Sequence, residues 1–340
     1  MLGVVFKGDR RVALHRFPDP TPGPGQVVVE IKASGMCGSD LHAYRKATGV
    51  SDKIIGGHEP SGIVAALGPG VTGGAARVGA RVMVHHYHGC GTCEHCRSGW
   101  AQLCTNGETE IFGINRNGAH APYMLVPAET LVPLDDRLSF AAGSAISCGT
   151  GTAWGALKRM NLSGRDTIAI FGQGPVGLSA TQLAAAQGAR VIALDIEPAR
   201  LAKSIGFGAA ATIDPSGGSV KDQIWELTHG RGADKALETS GSSAAAKDAL
   251  NAVKTWGTAV FVGLGAEVAF DVRAFLAKQI TIMTSWSMSI LDQKTCADFI
   301  IERRIDIDSL FADRYRLDEA ETAYRTFDRQ SGGKGVFLFG

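Results

Sequence analysis

The sequence lacks the features of membrane, secreted and nucleic-acid-binding proteins. No apolar run approaches the ~20 residues that a membrane span requires. The first residues, MLGVVFKGDRRVAL, are interrupted by charges from Lys7 onward, so they lack a secretory apolar core. The 34 basic side chains nearly balance the 33 acidic ones, which argues against an electrostatic nucleic-acid footprint. We therefore expect a cytoplasmic protein with neither a membrane nor a nucleic-acid partner.

Cysteine is scarce outside one segment, HHYHGCGTCEHCRSGWAQLC at 85–104, which holds four of the seven. Clustering of this kind is typical of metal ligation in a reducing compartment rather than of disulfides. Four thiolates at such short spacing can close a tetrahedral zinc shell and leave no open coordination position. The segment thus predicts a structural zinc in a lobe at about 88–105, with these ligands: Cys90, Cys93, Cys96 and Cys104.

Four histidines accompany these cysteines but are surplus once four sulfurs fill the shell. We interpret each as a solvated or pocket-wall residue rather than a ligand: His85, His86, His88 and His95.

The chain of 340 residues is longer than one hydrophobic core usually grows, so we expect two domains. Up to about residue 147, short apolar runs between Gly/Pro turns predict a β-rich domain. From about 150, strand-like segments alternate with helical ones, which predicts βαβ units and a parallel sheet. The last ~50 residues predict two helices, near 292–304 and 318–328, and a terminal strand that returns to the first domain.

The β-rich region contains four predicted strands, VVVEIKA (27–33), GIVAALG (62–68), RVMVHHY (81–87) and YMLVPAE (123–129). The alternating region contains five predicted strands, at 167–172, 190–195, 209–214, 235–240 and 258–265. Between them lie an Ala-rich helical stretch that ends near Gly188 and predicted helices at 198–206, 221–229 and 244–253.

A G-x-G-x-x-G motif, GQGPVG at 172–177, follows the predicted strand TIAIF and opens a helix. In that position the glycines permit a tight turn and let a pyrophosphate reach the positive helix N-terminus. The motif therefore predicts dinucleotide binding by Gly172, Gly174, Pro175, Val176 and Gly177.

Asp195 ends the second strand of this region, about 20 residues after the motif. A carboxylate there accepts hydrogen bonds from the adenosine ribose and repels a 2′-phosphate, which favours NAD over NADP. Arg200, five residues later, either flanks the ribose or is a solvated helix cation.

The cysteines outside the cluster predict a second metal site. Cys37 opens CGSDLH, and GGHEP follows 21 residues later with His58. Cys148 precedes the nucleotide-binding half. A catalytic zinc takes three protein ligands and keeps one position open, and Cys37, His58 and Cys148 can supply such a set between the domains. Cys296 remains unassigned and is interpreted as a small buried hydrophobic residue.

CGSDLH, GHE, the four-cysteine lobe and the late GQGPVG together resemble the zinc-dependent medium-chain dehydrogenase/reductase family, the alcohol and polyol dehydrogenases. The resemblance covers essentially the whole chain, with the motifs in the same order. It implies a GroES-like, mostly β catalytic domain with an inserted Rossmann domain. We expect a catalytic domain at 1–149, an NAD-binding domain at 150–287 and a C-terminal segment at 288–340 that returns to the catalytic domain.

The same resemblance implies roles for individual residues near the predicted catalytic zinc. Glu59 resembles the carboxylate that approaches the metal when ligands exchange. Ser39 resembles the hydroxyl that takes the substrate's proton, and His42 the far end of that relay. Asp40 resembles the carboxylate that orients the zinc histidine. Thr152 resembles a residue packed against the nicotinamide.

Two departures leave the subfamily open. Gly38 stands where classical alcohol dehydrogenases usually carry a basic residue, which favours the polyol and threonine dehydrogenase branches. Cys148, by contrast, resembles the alcohol branch, since the polyol branches commonly carry a carboxylate there. His86 corresponds to a pocket-wall position, and a polar wall favours a hydroxylated substrate; Trp286 and Met288 are candidates for the other side.

These features predict a zinc enzyme with two zinc ions per chain that reversibly transfers a hydride from a secondary or polyhydroxy alcohol to NAD+. An amino alcohol, a sugar phosphate or an aldehyde adduct is the alternative substrate. A non-enzymatic zinc-ribbon protein with a nucleotide-sensing domain is the alternative from another class; the near-zero net charge and the second metal set argue against it. The family resemblance implies a homodimer or homotetramer, paired through edge strands of the Rossmann sheets.

Overall fold

The computed structural model describes residues 1–47, 53–330 and 332–340. The chain forms two compact units, of which the first consists of Met1–Gly151 and Met288–Gly340 and the second of Thr152–Ser287. The second unit is thus inserted in sequence between the two segments of the first.

The N-terminal segment is mainly β-structure because its apolar residues alternate with a period of two. Val27, Val29 and Ile31 point from one strand into a core that also contains Val64 and Val82. The strands of this segment are β1 (Leu2–Gly8), β2 (Arg11–Arg16), β3 (Gln26–Gly35), β4 (Pro60–Leu67), β5 (Arg81–Val84), β6 (Tyr87–His88), β7 (Glu110–Ile111), β8 (Tyr123–Pro127) and β9 (Leu131–Pro133). Its helices are α1 (Asp40–Arg45), α2 (Glu94–Arg97) and α3 (Phe140–Ile146).

Helix α4 (Gly149–Arg159) leads into the second unit. The strands of this unit are β10 (Thr167–Phe171), β11 (Arg190–Leu194), β12 (Ala211–Ile213), β13 (Ala233–Glu238), β14 (Val253–Phe261) and β15 (Thr281–Thr284). Its further helices are α5 (Pro175–Ala186), α6 (Pro198–Gly206), α7 (Val220–Leu227), α8 (Ser243–Ala252) and α9 (Val272–Leu276).

The six strands form one sheet in the order β12-β11-β10-β13-β14-β15, and every neighbouring pair is parallel. This is the 3-2-1-4-5-6 order of the Rossmann fold, whose ligands bind outside the carboxyl ends of the strands. The predicted parallel sheet with alternating helices is confirmed.

The C-terminal segment returns to the first unit. It contains α10 (Ile290–Arg303), β16 (Phe311–Tyr315), α11 (Ala320–Asp328) and β17 (Lys334–Leu338). Because β17 pairs antiparallel with β3, the segment extends a seven-stranded sheet in the order β16-β17-β3-β4-β5-β9, with β8 also on β3. The two predicted helices and the terminal strand are confirmed, with α10 starting two residues before its predicted bound.

The prediction of one strand for RVMVHHY at 81–87 is wrong. Strand β5 ends at Val84, and Tyr87 begins β6, which pairs with β7. The two residues between are held by other partners, because the His85 N–H donates to the Thr130 carbonyl at 2.8 Å and the His86 carbonyl accepts from the Phe112 N–H at 3.0 Å. Apolar alternation does not reveal such a break, since side-chain pattern carries no record of backbone partners.

No helix among the described residues is long and apolar enough to cross a membrane.

Candidate metal centres and nucleotide site

Four buried side chains from separate parts of the first unit meet in one cluster, Cys37, His58, Glu59 and Cys148. One potential ligand atom from each lies within 4.8 Å of the others. Cys37 follows β3, His58 and Glu59 directly precede β4, and Cys148 stands between α3 and α4. The sheet and the helix pair thus bring together residues that are up to 111 positions apart.

The donor atoms of this cluster fit zinc. The sulfurs of Cys37 and Cys148 are 3.9 Å apart, and two sulfurs bound to one tetrahedral zinc at 2.3 Å lie about 3.8 Å apart. His58 Nε2 faces the cluster, while its Nδ1 lies 3.0 Å from Asp40 Oδ1. Two cysteines and one histidine are a three-ligand set of the kind that catalytic zinc sites use, and Glu59 offers a fourth donor atom in the same cluster.

The cluster favours the deprotonated form of one of its two sulfurs, since the hydrogen bond with Cys37 raises the pKa of Cys148 well above its usual value. The side-chain hydrogen bond from Cys148 lowers the pKa of Cys37 well below its usual value, although burial acts in the opposite direction. Burial disfavours the charged form of His58, but the Asp40 carboxylate and Cys37 outweigh it and raise the pKa of His58. A cation bound in this cluster would contact the Cys37 thiolate, whose charge its surroundings already stabilise.

Asp40 is placed for its expected orienting role. It is the first residue of α1, and its Oδ2 accepts the Cys37 backbone N–H at 2.9 Å while its Oδ1 faces His58. A carboxylate in this position fixes the ring orientation of a zinc histidine.

Sequence reasoning missed Lys334, whose Nζ lies 2.6 Å from Glu59 Oε1 and donates to the Met36 carbonyl at 2.9 Å. Both side chains of the ion pair are fully buried. Burial raises the pKa of Glu59, although the Lys334 ammonium opposes this. No local signal in the sequence links two residues that are 275 positions apart.

The two residues of the expected proton relay have different surroundings. Ser39 Oγ lies 3.1 Å from His58 Nε2, so it borders the cluster. His42 is exposed on α1. Their link through side chains stays a prediction.

The four cysteines of the lobe form a second cluster, again with sulfur atoms within 4.8 Å of one another. The Cys90 and Cys96 sulfurs are 4.0 Å apart, as are those of Cys93 and Cys104. Hydrogen bonds from the Thr92 side chain and from backbone N–H groups lower the pKa of Cys90 to about 5. Four sulfurs at these distances fit a closed tetrahedral zinc shell.

The surplus histidines lie outside that shell. His88 places its two ring nitrogens 2.8 Å from Glu110 and 3.0 Å from Glu129, and His95 lies 3.5 Å from Glu94.

His85 and His86 are both buried, and His86 lies beside the first cluster. The His86 ring centroid is 5.2 Å from that of His58, and its Nδ1 lies 2.9 Å from the Ser147 carbonyl. Burial lowers the pKa of His86 well below its usual value and that of His85 to about 4. The neutral His86 thus stands next to the cluster, as a pocket-wall residue would.

The Gly-rich motif occupies the turn between β10 and α5 at the carboxyl end of the sheet. Gly172 has a φ of +86°, which favours glycine, and a Cβ on Gly177 would lie 1.8 Å from the Gly172 carbonyl oxygen. A Cβ on Gly174 would meet nothing within 4 Å, so the helix N-terminus is open to a phosphate. Pro175 begins α5, where its fixed φ suits the first turn, and Val176 follows it in that turn.

Asp195 stands at the end of β11 and braces the motif. Its Oδ2 accepts the Gln173 N–H at 2.6 Å, and its Oδ1 accepts the Glu197 N–H at 2.9 Å. Arg200 Nη1 lies 3.6 Å from Asp195 Oδ2, which places Arg200 at this end of the strand. The cradle, the open helix end and the strand-end carboxylate fit a dinucleotide.

The remaining candidates are placed as follows. Thr152 is buried in α4, and Met288 is fully buried in the first unit. Trp286, after β15, is half exposed. Cys296 is fully buried in α10, consistent with a small apolar residue, and burial raises its pKa.

Two family models match the chain. The model described as alcohol dehydrogenase GroES-like domain matches residues 23–136, and the one described as zinc-binding dehydrogenase matches residues 175–302. The first match confirms the GroES-like character expected of the β-rich domain.

Several similar proteins match all or nearly all of the chain. A zinc-type alcohol dehydrogenase-like protein of Escherichia coli is 37% identical, over 100% of this chain and 99% of its own. A sorbitol dehydrogenase of Halalkalibacterium halodurans is 33% identical, over 93% and 92%. Among solved structures, an alcohol dehydrogenase from Thermus sp. ATN1 is 28% identical, covers 99% of both chains and gives a TM-score of 0.92.

Two further matches have descriptions that name two different activities. An L-threonine 3-dehydrogenase of Alteromonas mediterranea is 29% identical over 98% of both chains. A solved structure described as an NAD-dependent alcohol dehydrogenase is 27% identical, covers all of both chains and gives a TM-score of 0.89.

Proposed function

Because this chain belongs to the zinc-dependent medium-chain dehydrogenase/reductase family and is an oxidoreductase, we propose that it reversibly transfers a hydride from a secondary or polyhydroxy alcohol to NAD+. The buried cluster of Cys37, His58 and Cys148 carries this proposal. It offers three zinc ligands, with Glu59 in the same cluster and with Ser39 and His86 next to His58.

Zinc bound by these three residues supplies a Lewis acid that lowers the pKa of a coordinated hydroxyl group. The chain's own residues do the rest. Asp40 keeps His58 Nε2 turned toward the cluster. The Ser39 hydroxyl, 3.1 Å from that nitrogen, would take up the proton that the alcohol loses while it gives its own proton toward His42. His42, which is exposed on the next turn of α1, passes the proton to solvent.

The nucleotide site supports NAD as the hydride acceptor. The open position over Gly174 admits the pyrophosphate at the N-terminus of α5. Asp195 bears a negative charge at the place of the adenosine ribose, which disfavours the 2′-phosphate of NADP. The similar structure described as NAD-dependent agrees with this choice. Thr152 packs against the nicotinamide in this proposal.

The lobe cysteines hold a second, structural zinc, so the complete protein carries two zinc ions per chain. The first has a chemical role and the second stabilises the lobe. Zinc analysis of the purified protein tests this: two ions per chain support the proposal, whereas a single ion contradicts it and favours the zinc-ribbon alternative.

The proposed substrate class depends on His86, which we assign to the wall of the substrate pocket next to the cluster. His86 donates its Nδ1–H to the Ser147 carbonyl, which leaves Nε2 as a hydrogen-bond acceptor for a second hydroxyl group. A polyhydroxy alcohol satisfies this acceptor and a simple alcohol does not. The sorbitol dehydrogenase among the similar proteins agrees.

An amino alcohol is the second candidate, favoured by the similarity to L-threonine 3-dehydrogenase. A screen of alcohols, polyols, inositols and amino alcohols, followed by NADH absorbance, separates the two. Turnover of polyols supports the first candidate. Turnover of threonine-like substrates alone supports the second, and turnover of neither class contradicts both.

A homodimer or homotetramer completes the proposal. Strand β15 is the edge of the parallel sheet, and Ile282 on it and Val272 and Leu276 on α9 are exposed apolar side chains. An uncovered edge strand pairs readily with another chain. Light scattering that gives the mass of one chain would contradict this.

A further inference from the structure

A line of buried polar side chains reaches from the core of the first unit to Asp40. Ser34, His120 and Tyr324 are each fully buried, and Asp40 is almost so. Ser34 lies in β3, His120 in the loop before β8 and Tyr324 in α11. We call Ser34, His120 and Tyr324 the Asp40 chain.

The contacts of the Asp40 chain are continuous. Ser34 Oγ lies 2.8 Å from His120 Nδ1, and His120 Nε2 lies 2.6 Å from the Tyr324 hydroxyl. Burial and, next, the charge of the nearby Asp40 carboxylate raise the pKa of that hydroxyl well above its usual value. Asp40 in turn faces His58, the expected zinc ligand, at 3.0 Å.

One arrangement of protons directs every donor of the chain toward Asp40. Burial lowers the pKa of His120 to about 4, so the ring is neutral and carries a single N–H. In this arrangement the Tyr324 hydroxyl donates its one proton to the Asp40 carboxylate. It therefore accepts from His120 Nε2–H, and His120 Nδ1 accepts from the Ser34 hydroxyl. Every donor of the chain points toward Asp40.

Aromatic packing holds the central hydroxyl in place. The Tyr324 ring lies edge-on to Phe6, with centroids 5.0 Å apart, and 5.5 Å from the ring of Tyr44. Phe337 contacts both Tyr324 and His120. A ring fixed on several sides delivers its hydrogen bond in one direction, whereas a mobile ring would lose that direction.

We propose that the Asp40 chain is a positioning device for the catalytic zinc site. Its donors, with the Cys37 backbone N–H, hold the Asp40 carboxylate in the orientation that fixes the His58 ring. Outer partners of this kind typically change metal affinity or activity 10- to 100-fold when removed. This inference rests on the proposed function, because it requires zinc at Cys37, His58 and Cys148.

Zinc release from the full-length holoprotein to a chromogenic chelator tests the inference. The release phase that is missing in Cys37→Ser belongs to the catalytic site. We expect Tyr324→Phe to accelerate that phase roughly tenfold and to leave the phase of the four-cysteine lobe unchanged. The matched control is Tyr44→Phe, which removes a hydroxyl from the same aromatic cluster but outside the chain, and which we expect to release zinc like the wild type.

The visible spectrum of the cobalt-substituted protein provides a readout that general destabilisation does not move. We expect Tyr324→Phe to shift the catalytic-site bands, because the His58 ring is less firmly oriented. Since Gln can place an N–H near the Nε2 position, His120→Gln should retain most of the wild-type behaviour and His120→Phe should not. This pair keeps the test valid where one variant folds poorly.

The outcomes separate the two claims. A wild-type protein that binds zinc only at the lobe overturns the proposed function. A wild type with both zinc ions, in which Tyr324→Phe and His120→Phe release zinc like Tyr44→Phe and show unshifted cobalt bands, overturns the positioning role alone.

Discussion

The Lys334 ammonium lies 2.6 Å from Oε1 of Glu59, although 275 residues separate the two in the chain. Strand β17 brings Lys334 into the sheet of the first unit beside β3, so the last residues of the chain reach the metal cluster. Neither charge contacts water. The C-terminal segment therefore neutralises the carboxylate next to the proposed zinc.

Lys334→Met is expected to destabilise the protein strongly, because it leaves Glu59 buried without its partner. Breaking a buried ion pair in this way costs about 3–5 kcal/mol. Urea unfolding gives the change in free energy. The matched control is Lys32→Met, whose partly exposed pair with Glu30 at 2.7 Å is worth at most ~1 kcal/mol. Equal effects of the two changes would refute this account, and adding Glu59→Gln to Lys334→Met should recover part of the loss.

Asp195→Asn is expected to shift the cofactor preference toward NADP+. The amide keeps an oxygen for the Gln173 N–H, but it removes the charge that repels a 2′-phosphate. The ratio of kcat/KM with NAD+ to that with NADP+ should fall roughly 10- to 100-fold, the effect of about 1.5–3 kcal/mol for hydrogen bonds to a charged group. Asp214→Asn, at the end of the neighbouring strand β12, is the control and should leave the ratio unchanged. An unaltered ratio in Asp195→Asn would count against the assigned role.

The protein should lose stability in mild acid because of two buried neutral histidines. Burial lowers the pKa of His85 and of His120 to about 4, whereas histidine in an unfolded chain titrates near 6.5. Below pH 6.5 the unfolded state binds protons that the folded state does not bind until about pH 4. Each histidine thus makes its full contribution to the free energy of unfolding above pH 6.5. This contribution falls by up to about 3 kcal/mol as the pH approaches 4.

Urea unfolding between pH 7.5 and 5 measures this decline, and His85→Gln separates the histidine contribution from that of the metal ligands. The variant should show a shallower fall of the free energy of unfolding with decreasing pH. A slope equal to that of the wild type would mean that His85 does not contribute.

Cys104→Ser is expected to remove the lobe zinc and to leave the other ion in place. Its sulfur lies 4.0 Å from that of Cys93 and closes the four-sulfur shell, so three thiolates remain. Zinc analysis should fall from two ions per chain to one, and the melting temperature should drop. Retention of both ions in this variant would contradict the assignment.

The sequence predicted both clusters because ligand spacing and motif order are local properties. Cys90 to Cys104 lie within fifteen residues, and CGSDLH and GHE each carry their chemistry in a few letters. The parallel sheet was predicted for the same reason, since apolar residues recur with a different period in a strand than in a helix.

Contacts made only in the tertiary structure could not be predicted in this way. No local motif in the sequence marks Lys334, His120 or Tyr324. Their partners are 275, 86 and 204 positions away. The break after β5 was missed as well, because it depends on backbone partners in other segments.

The central claim is that Cys37, His58 and Cys148 hold a catalytic metal while the lobe cysteines hold a structural one. The most direct measurement compares NADH formation by the wild type and by Cys37→Ala on the best substrate of the screen, with zinc counted in both. The account predicts that Cys37→Ala retains the lobe zinc and a folded structure but loses turnover by a factor of at least about 10³, since catalysis by the metal is worth several kcal/mol. Undiminished turnover in a Cys37→Ala protein that contains only the lobe zinc would contradict it.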